Sequence, residues 1–269
     1  MDSSPLVVAY GMGVDSTAML VAMHERRIRP DLILFADTGD EKPGTYAYFP
    51  VITKWLKKVK FPPLIVVRYT PKRAPYETLH GKCLANQTLP SLAFGKHSCS
   101  IVFKTVPQDK YVAKWQPARV AWDKGIKVIK AIGYDDSPQD RRRKEKADRA
   151  CAKKAAEGHL DAVRYHYWSP LQEWGIDRNG CLSTIQRAGL PIPQKSACWF
   201  CPASKKKEII ELRDNHPELF AQVLQMEHIA RNGRHGLDTT VGLGRTFAWS
   251  SLATTRHEDL KEETETLRP

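Results

Sequence analysis

The stretch Leu6-Val7-Val8-Ala9-Tyr10-Gly11-Met12-Gly13-Val14-Asp15-Ser16-Thr17-Ala18-Met19-Leu20 decides how this chain is read. Leu6 to Tyr10 has strand character. A helical pattern of small and apolar residues runs from Ala18 through Met23. The turn between them holds Gly11 and Gly13. Glycine lets a backbone turn tightly and approach a ligand closely. The unpaired N–H groups and the dipole at a helix N-terminus then attract an anion. Tyr10, Gly11, Met12, Gly13, Asp15, Ser16 and Thr17 are therefore the candidate phosphate-binding residues. The hydroxyls of Ser16 and Thr17 can donate to phosphate oxygens.

Two common nucleotide loops do not fit. A dinucleotide fingerprint places a third small residue, usually glycine, where this chain has Ser16, and a P-loop needs Gly-Lys-Ser/Thr. Gly11-Met12-Gly13-Val14-Asp15-Ser16 instead resembles the SGGxDS loop of the PP-loop ATP pyrophosphatases and their relatives, the PAPS reductases. Gly11 stands where that family usually has serine, and Met12 where it has its first glycine.

Further stretches carry the same resemblance. Asp31 to Asp37 reads as a buried parallel strand and runs into Thr38-Gly39. Ala36 to Phe49 is similar to the family's DTG…PETYEF run, which implies that Asp37 and Thr38 lie near a bound nucleotide. Taken alone, Asp37 before Thr-Gly is an ordinary turn residue. His97 to Pro107 resembles the CCxxxK…P element of sulfonucleotide reductases, with Ser100 in place of the second cysteine. Lys104 there is a candidate contact to phosphate or sulfate.

Strands are expected at Leu64 to Tyr69, Lys127 to Tyr134 and Arg164 to Tyr167. Gly133 closes the second of these and permits close approach to a ligand. The basic run after it offers Arg141 or Arg142 as a bidentate phosphate clamp. That run lies on an expected helix reaching Glu157. It reads either as a solvated face or as a nucleic-acid surface. A short helix is expected near Tyr76 to His80.

Cys198-Trp199-Phe200-Cys201-Pro202 is the strongest metal signal. A C-x-x-C places two sulfurs on one ion or cluster, and four ligands complete such a site. Cys83 and Cys99 are the best remaining candidates. Cys151 and Cys181 sit in helical patterns and are poorer choices. The family resemblance implies a [4Fe-4S] cluster. Zinc and a redox pair are the competing readings.

Composition sets the outer bounds. The chain has 269 residues, a net charge of +12 and six cysteines. The charge suggests polyanionic partners: an adenine nucleotide, with tRNA or DNA as further candidates. No apolar run is long enough to span a membrane, and the N-terminus lacks a signal-peptide pattern, so a cytoplasmic protein is expected. The tail HEDLKEETETLRP carries no cysteine. That argues against a reductase that holds sulfite on a C-terminal cysteine.

The expected fold is α/β: an open, mostly parallel five-stranded Rossmann-like (HUP) sheet with helices on both faces. Residues 1–137 would form the nucleotide-binding domain and residues 138–269 a helical, cysteine-bearing lobe. The expected function is ATP-dependent adenylation at the α-phosphate with pyrophosphate release, coupled to sulfur transfer to a nucleotide or nucleic acid. Mg²⁺ would be held near Asp15 and Asp37, Lys104 and Arg141 would stabilise charge, and a sulfur or electron donor protein would be a partner. The alternatives are a sulfonucleotide reductase and a nucleotide-gated nucleic-acid-binding protein without turnover.

Overall fold

The computed structural model of the chain describes residues 4–234 and 236–255. The C-terminal tail quoted above lies outside the described residues. The elements follow the alternating pattern of an α/β sheet. In order they are β1 (Leu6–Tyr10), α1 (Val14–Glu25), β2 (Leu32–Asp37), α2 (Pro43–Lys58), β3 (Leu64–Arg68) and α3 (Leu79–Ala85). A 3-10 turn (Ser91–Phe94) follows. Next come α4 (Ser98–Ser100), a π-helical stretch (Ile101–Thr105), α5 (Val106–Val112), α6 (Gln116–Asp123), β4 (Val128–Ile132) and α7 (Pro138–Ala156). The chain continues through α8 (Leu160–Arg164), β5 (Tyr165–Trp168), α9 (Pro170–Glu173), α10 (Arg178–Arg187), α11 (Lys206–Asn215) and α12 (Pro217–Asn232).

The five strands form one sheet in the order β3-β2-β1-β4-β5. β1 pairs in parallel with β2 (Val8 opposite Ile33) and with β4 (Val8 opposite Ala131), and β4 pairs in parallel with β5. From β1 the chain moves outward one way through β2 and β3, then returns to the other side at β4. The switch point therefore lies between β1 and β4. In open α/β sheets the ligand crevice opens beyond the strand C-termini at such a point.

Both faces of the sheet are covered, as the unbroken apolar runs require. Val8, Tyr10, Ile33, Phe35 and Ala131 face a core shared with α1, α2 and α10. Val7, Leu32, Leu34, Ala36 and Val128 face the opposite way, against Val112 of α5 and Ala118 of α6. Neighbouring strand residues alternate between the two cores because the strand period is two.

Contacts divide the chain into two compact units, and the expected break after residue 137 falls inside the first. The first unit is Met1–Asp37, Lys42–Val67 and Val106–Ser196 and holds the sheet. The second is Thr38–Glu41, Arg68–Thr105 and Ala197–Pro269. Its core packs Phe103, Phe200, Val223, Leu243 and Trp249, with Cys83 and Cys198 among them. Inside it the buried Glu227 carboxylate accepts hydrogen bonds from the amides of Leu243, Trp249 and Ser250, which fixes the loop after α12.

One local reading needs correction. The short helix expected near Tyr76 to His80 begins at Leu79, because the Thr78 hydroxyl caps it by accepting from the Gly81 amide. α6 starts at a Trp115 N-cap followed by Gln116-Pro117 and buries Ala118 and Ala121 on one face.

Candidate functional site

The glycine turn after β1 is closed by its own side chains. The Gly11 amide donates to Ser16 Oγ at 3.2 Å, and that hydroxyl donates to the Gly13 carbonyl at 3.2 Å. Gly13 is the N-cap of α1 and supplies no capping side chain, and among the described residues no side-chain cap bond replaces it. A Cβ on Gly13 would stand 2.9 Å from Ser196 Oγ. Met12 adopts φ 57°, in the left-handed region, with its side chain wholly buried. The family resemblance places glycine there, and the backbone shows why. An L-residue in that conformation costs about 1–2 kcal/mol.

Tyr10 and Thr17 are placed differently from the other loop residues. Both are buried, and their hydroxyls meet at 3.0 Å. Burial drives the Tyr10 phenol far above its ordinary pKa. Their contacts are within the core, which leaves Ser16 as the hydroxyl in the turn itself.

Gly133 follows β4, and the sequence reading gave its missing side chain to a ligand. The space is filled by protein instead. A Cβ there would lie 2.9 Å from the Ser16 amide nitrogen and 3.1 Å from the Asp15 carbonyl carbon. Gly133 thus lets the end of β4 press against the start of α1.

Just beyond it the chain builds a carboxylate triangle. Asp15, Asp135 and Asp140 each offer an oxygen, all within 4.8 Å of one another. Asp15 comes from the first turn of α1, Asp135 from the segment after β4, and Asp140 from the first turn of α7. Ser137 caps α7, and it also donates both its amide and its hydroxyl to Asp135. Asp140 in turn accepts from the Asp135 amide at 3.3 Å. Asp135 and Asp140 are buried.

Three carboxylates this close repel, and two arginines offset part of the charge. Arg178 reaches Asp15 at 2.6 Å, and Arg143 reaches Asp140 at 2.7 Å while lying over the Tyr134 ring. Burial raises the Asp15 pKa, Arg178 opposes the shift, and Asp135 and Asp140 add to it. The donor set suits Mg²⁺. Oxygens in an octahedron of radius ~2.1 Å sit roughly 3 to 4 Å apart, and hard carboxylates are its preferred protein ligands.

Asp37 is not part of this triangle. It is buried at the end of β2 and accepts from the Tyr46 hydroxyl at 2.8 Å. Arg141 is not part of it either. Its guanidinium makes two 2.7 Å bonds to Asp136 at the surface. Arg143 and Arg178, which the sequence reading did not single out, are the guanidiniums beside the carboxylates.

The second unit holds the other predicted residues. Cys198 is buried, and its sulfur lies 3.3 Å from Thr38 Oγ1. Glu41 pairs with Cys198 through an isolated β-bridge, and the Trp199 amide donates to the Asp40 carbonyl. The Cys201 amide donates to the Cys198 carbonyl, closing the C-x-x-C turn. Lys104 points here: its ammonium meets the fully buried Glu41 carboxylate at 2.8 Å. Cys83 and Cys198 belong to one apolar cluster, and Cys99 and Cys201 pack against it. Burial raises the pKa of Cys83 to about 12. Burial also holds Cys198 well up; Glu41 adds to that and Lys104 opposes it. Cys151 and Cys181 lie in the first unit, on α7 and in the sheet core.

The four thiols gather in and around one apolar cluster. Among the described residues, no three of these sulfurs lie within 4.8 Å of one another. A tetrahedral zinc brings its thiolates within about 3.8 Å of each other.

No family model matches the chain. No curated protein matches it either. Among solved structures, the chain is similar to the U34-tRNA thiolase NcsA from Methanococcus maripaludis with its [4Fe-4S] cluster. The likeness covers 91% of this chain and 77% of that one, at 15% identity and a TM-score of 0.41. At that identity and score it bears on neither substrate nor cofactor. Among the described residues, no helix is long and apolar enough to cross a membrane.

Proposed function

We propose that this protein is a PP-loop enzyme that binds ATP with Mg²⁺ in the β1/β4 crevice and adenylates a nucleotide or nucleic-acid acceptor for sulfur transfer. The observation that carries the proposal is the meeting of the glycine turn of α1 with the Asp15, Asp135 and Asp140 carboxylates at the switch point of the sheet.

The first-turn N–H groups of α1 and the Ser16 hydroxyl bind polyphosphate oxygens. Asp15, Asp135 and Asp140 would hold the Mg²⁺, which offsets polyphosphate charge when bound. Arg178 and Arg143 supply fixed positive charge beside them. An acceptor oxygen bonds to the α-phosphorus, the bond from that phosphorus to the bridging oxygen breaks, and pyrophosphate leaves. The acceptor's proton passes to solvent. A sulfur nucleophile then forms a C–S bond at the activated carbon as the C–O bond breaks and AMP departs. Cys83, Cys99, Cys198 and Cys201 would hold a [4Fe-4S] cluster, which supplies a point of attachment for sulfide when bound.

Titration calorimetry with ATP, with and without Mg²⁺, tests the first part. Asp140→Asn should abolish the Mg²⁺ dependence, and Ser16→Ala should weaken ATP binding. ATP binding that is indifferent to Mg²⁺ and to both substitutions overturns the assignment. Pyrophosphate release on addition of candidate RNA or DNA acceptors tests the second part.

A further inference from the structure

We propose that the outward face of α7 binds the sugar–phosphate backbone of duplex DNA. The inference does not depend on the nucleotide reading.

α7 is an unusual helix for its length. Across Pro138–Ala156 the one buried residue is Asp140. Lys144, Ala147 and Cys151 are half-buried, and with Asp140 they follow i, i+4, i+7, i+11 spacing on one inward face. Arg142, Lys146, Arg149 and Lys153 repeat that spacing half a turn away and are all exposed. They form a row of cations along the outermost face. An amphipathic helix normally earns its place by a buried apolar stripe, and α7 has almost none.

The ion pairs sort by face. Arg141, Arg143, Lys144 and Lys154 bond to Asp136, Asp140, Asp148 and Asp161. Arg142, Lys146 and Arg149 make no ion pair or hydrogen bond among the described residues. Lys153 has one loose contact, to Glu157 at 3.8 Å. Glu145 borders the row and makes no ion pair with it among the described residues. The carboxylates on and around α7 thus leave the outward row open.

The dimensions select the partner. The row runs about 17 Å along the axis at 1.5 Å per residue. One strand of a duplex presents about five phosphates over that distance. Ala150, Ala152 and Ala156 are exposed beside the row, so little bulk surrounds it. A helix about 10–12 Å across matches the ~12 Å major groove of B-form DNA. The narrow major groove of A-form RNA does not admit side chains. No aromatic residue lies on α7 to stack on unpaired bases, as single-strand binders require. The exposed apolar residues nearby, Leu160 and Val163, belong to α8 and not to the row.

Fluorescence anisotropy on the full chain, without nucleotide, tests this. The probes are a DNA duplex, an RNA duplex and single-stranded DNA of one sequence, each titrated across a salt series. The variant R142Q/K146Q/R149Q/K153Q is compared with K54Q/K57Q/K58Q/K60Q, which removes the same charge from exposed lysines on and just after α2. The row variant should lose roughly 10²-fold in DNA affinity at low salt and flatten the slope of log K against log salt by roughly 3 to 4. The α2 variant should keep the parent slope. Far-UV circular dichroism checks that α7 persists; if the quadruple variant unfolds, R142Q/K146Q and R149Q/K153Q should each remove about half the slope. Equal loss in the α2 variant, RNA or single strands bound as tightly as duplex DNA, displacement of DNA by polyglutamate at matched charge, or no DNA binding at all overturns the proposal.

Discussion

Gly133 and Ser16 meet backbone to backbone. A Cβ placed on Gly133 would stand 2.9 Å from the Ser16 amide nitrogen and 3.0 Å from its Cα. Neither atom is the end of a flexible side chain, so one of the two segments must move. Gly133→Ala should therefore push the start of α1 away from β4. The expected cost is about 1–3 kcal/mol, the range for overpacking, and ATP affinity should fall with it. Denaturant unfolding and calorimetry on the same variant check both; an alanine that leaves stability and binding unchanged contradicts the contact.

Met12 gives a prediction of opposite sign to the usual one. In ordinary backbone, glycine is less stable than alanine by about 0.5–1 kcal/mol. At φ 57° that order should reverse. Met12→Ala should cost about 2–5 kcal/mol for the emptied core space. Met12→Gly should cost about 1 kcal/mol less than Met12→Ala, because glycine is at ease in the left-handed region. Urea midpoints of the two variants, measured side by side, settle the order.

Asp15 carries a pH signature. Its raised pKa means that the folded state holds its proton more tightly than the unfolded chain does. The sign follows: this group's contribution to stability is fully present below its ordinary pKa and is lost as pH rises through the raised one. Mg²⁺ needs the carboxylate ionised, so Mg²⁺ stabilisation should run the other way and vanish as pH falls through the same window. Thermal unfolding with and without Mg²⁺ across acidic pH should show the two curves diverging upward. Parallel curves would remove Asp15 from the metal site.

Lys104 and Glu41 form a pair in which the carboxylate is fully buried and the ammonium is partly exposed. Lys104→Met leaves Glu41 charged and buried. The expected loss is about 2 kcal/mol, below the 3–5 kcal/mol of a fully buried pair. Glu41→Gln on top of it should recover much of the loss. Additive losses in the double variant would mean that the pair is not coupled.

The cysteines divide into two sets. After anaerobic purification and reconstitution, iron and acid-labile sulfide should approach four each per chain, as a [4Fe-4S] site requires. Serine at Cys83, Cys99, Cys198 or Cys201 should lower both, whereas Cys151→Ser should leave them unchanged. Stoichiometric zinc without iron would make this centre structural.

The sheet was legible because each strand is a short apolar run bounded by turn residues, and the Gly11–Ser16 turn marks the first of them. Much of the carboxylate triangle was not. Asp15 stands in the recognisable loop, but Asp135 and Asp140 follow a different strand. Only the pairing of β1 with β4 brings them to Asp15. The signal that could have found them is Ser137-Pro138, a helix start that puts Asp140 in the first turn. Arg178 lies 163 positions from its partner and has no local signature. Arg141 looked suitable by composition, yet a guanidinium is claimed by whichever carboxylate the backbone presents, and here that is Asp136. The strand order and division into units show the same limit, since the second unit is assembled from three separated segments.

The Asp15–Arg178 pair has a consequence for how the protein is made. The loop leaves the ribosome before the cation that answers its carboxylate, which comes 163 residues later. At 5–20 residues per second that interval lasts roughly 8–30 s. Throughout it the nascent chain displays a glycine turn without its full complement of countercharge. Asp15 thus meets its countercharge, and the carboxylate triangle closes, only after β4, α7 and α10 have all emerged.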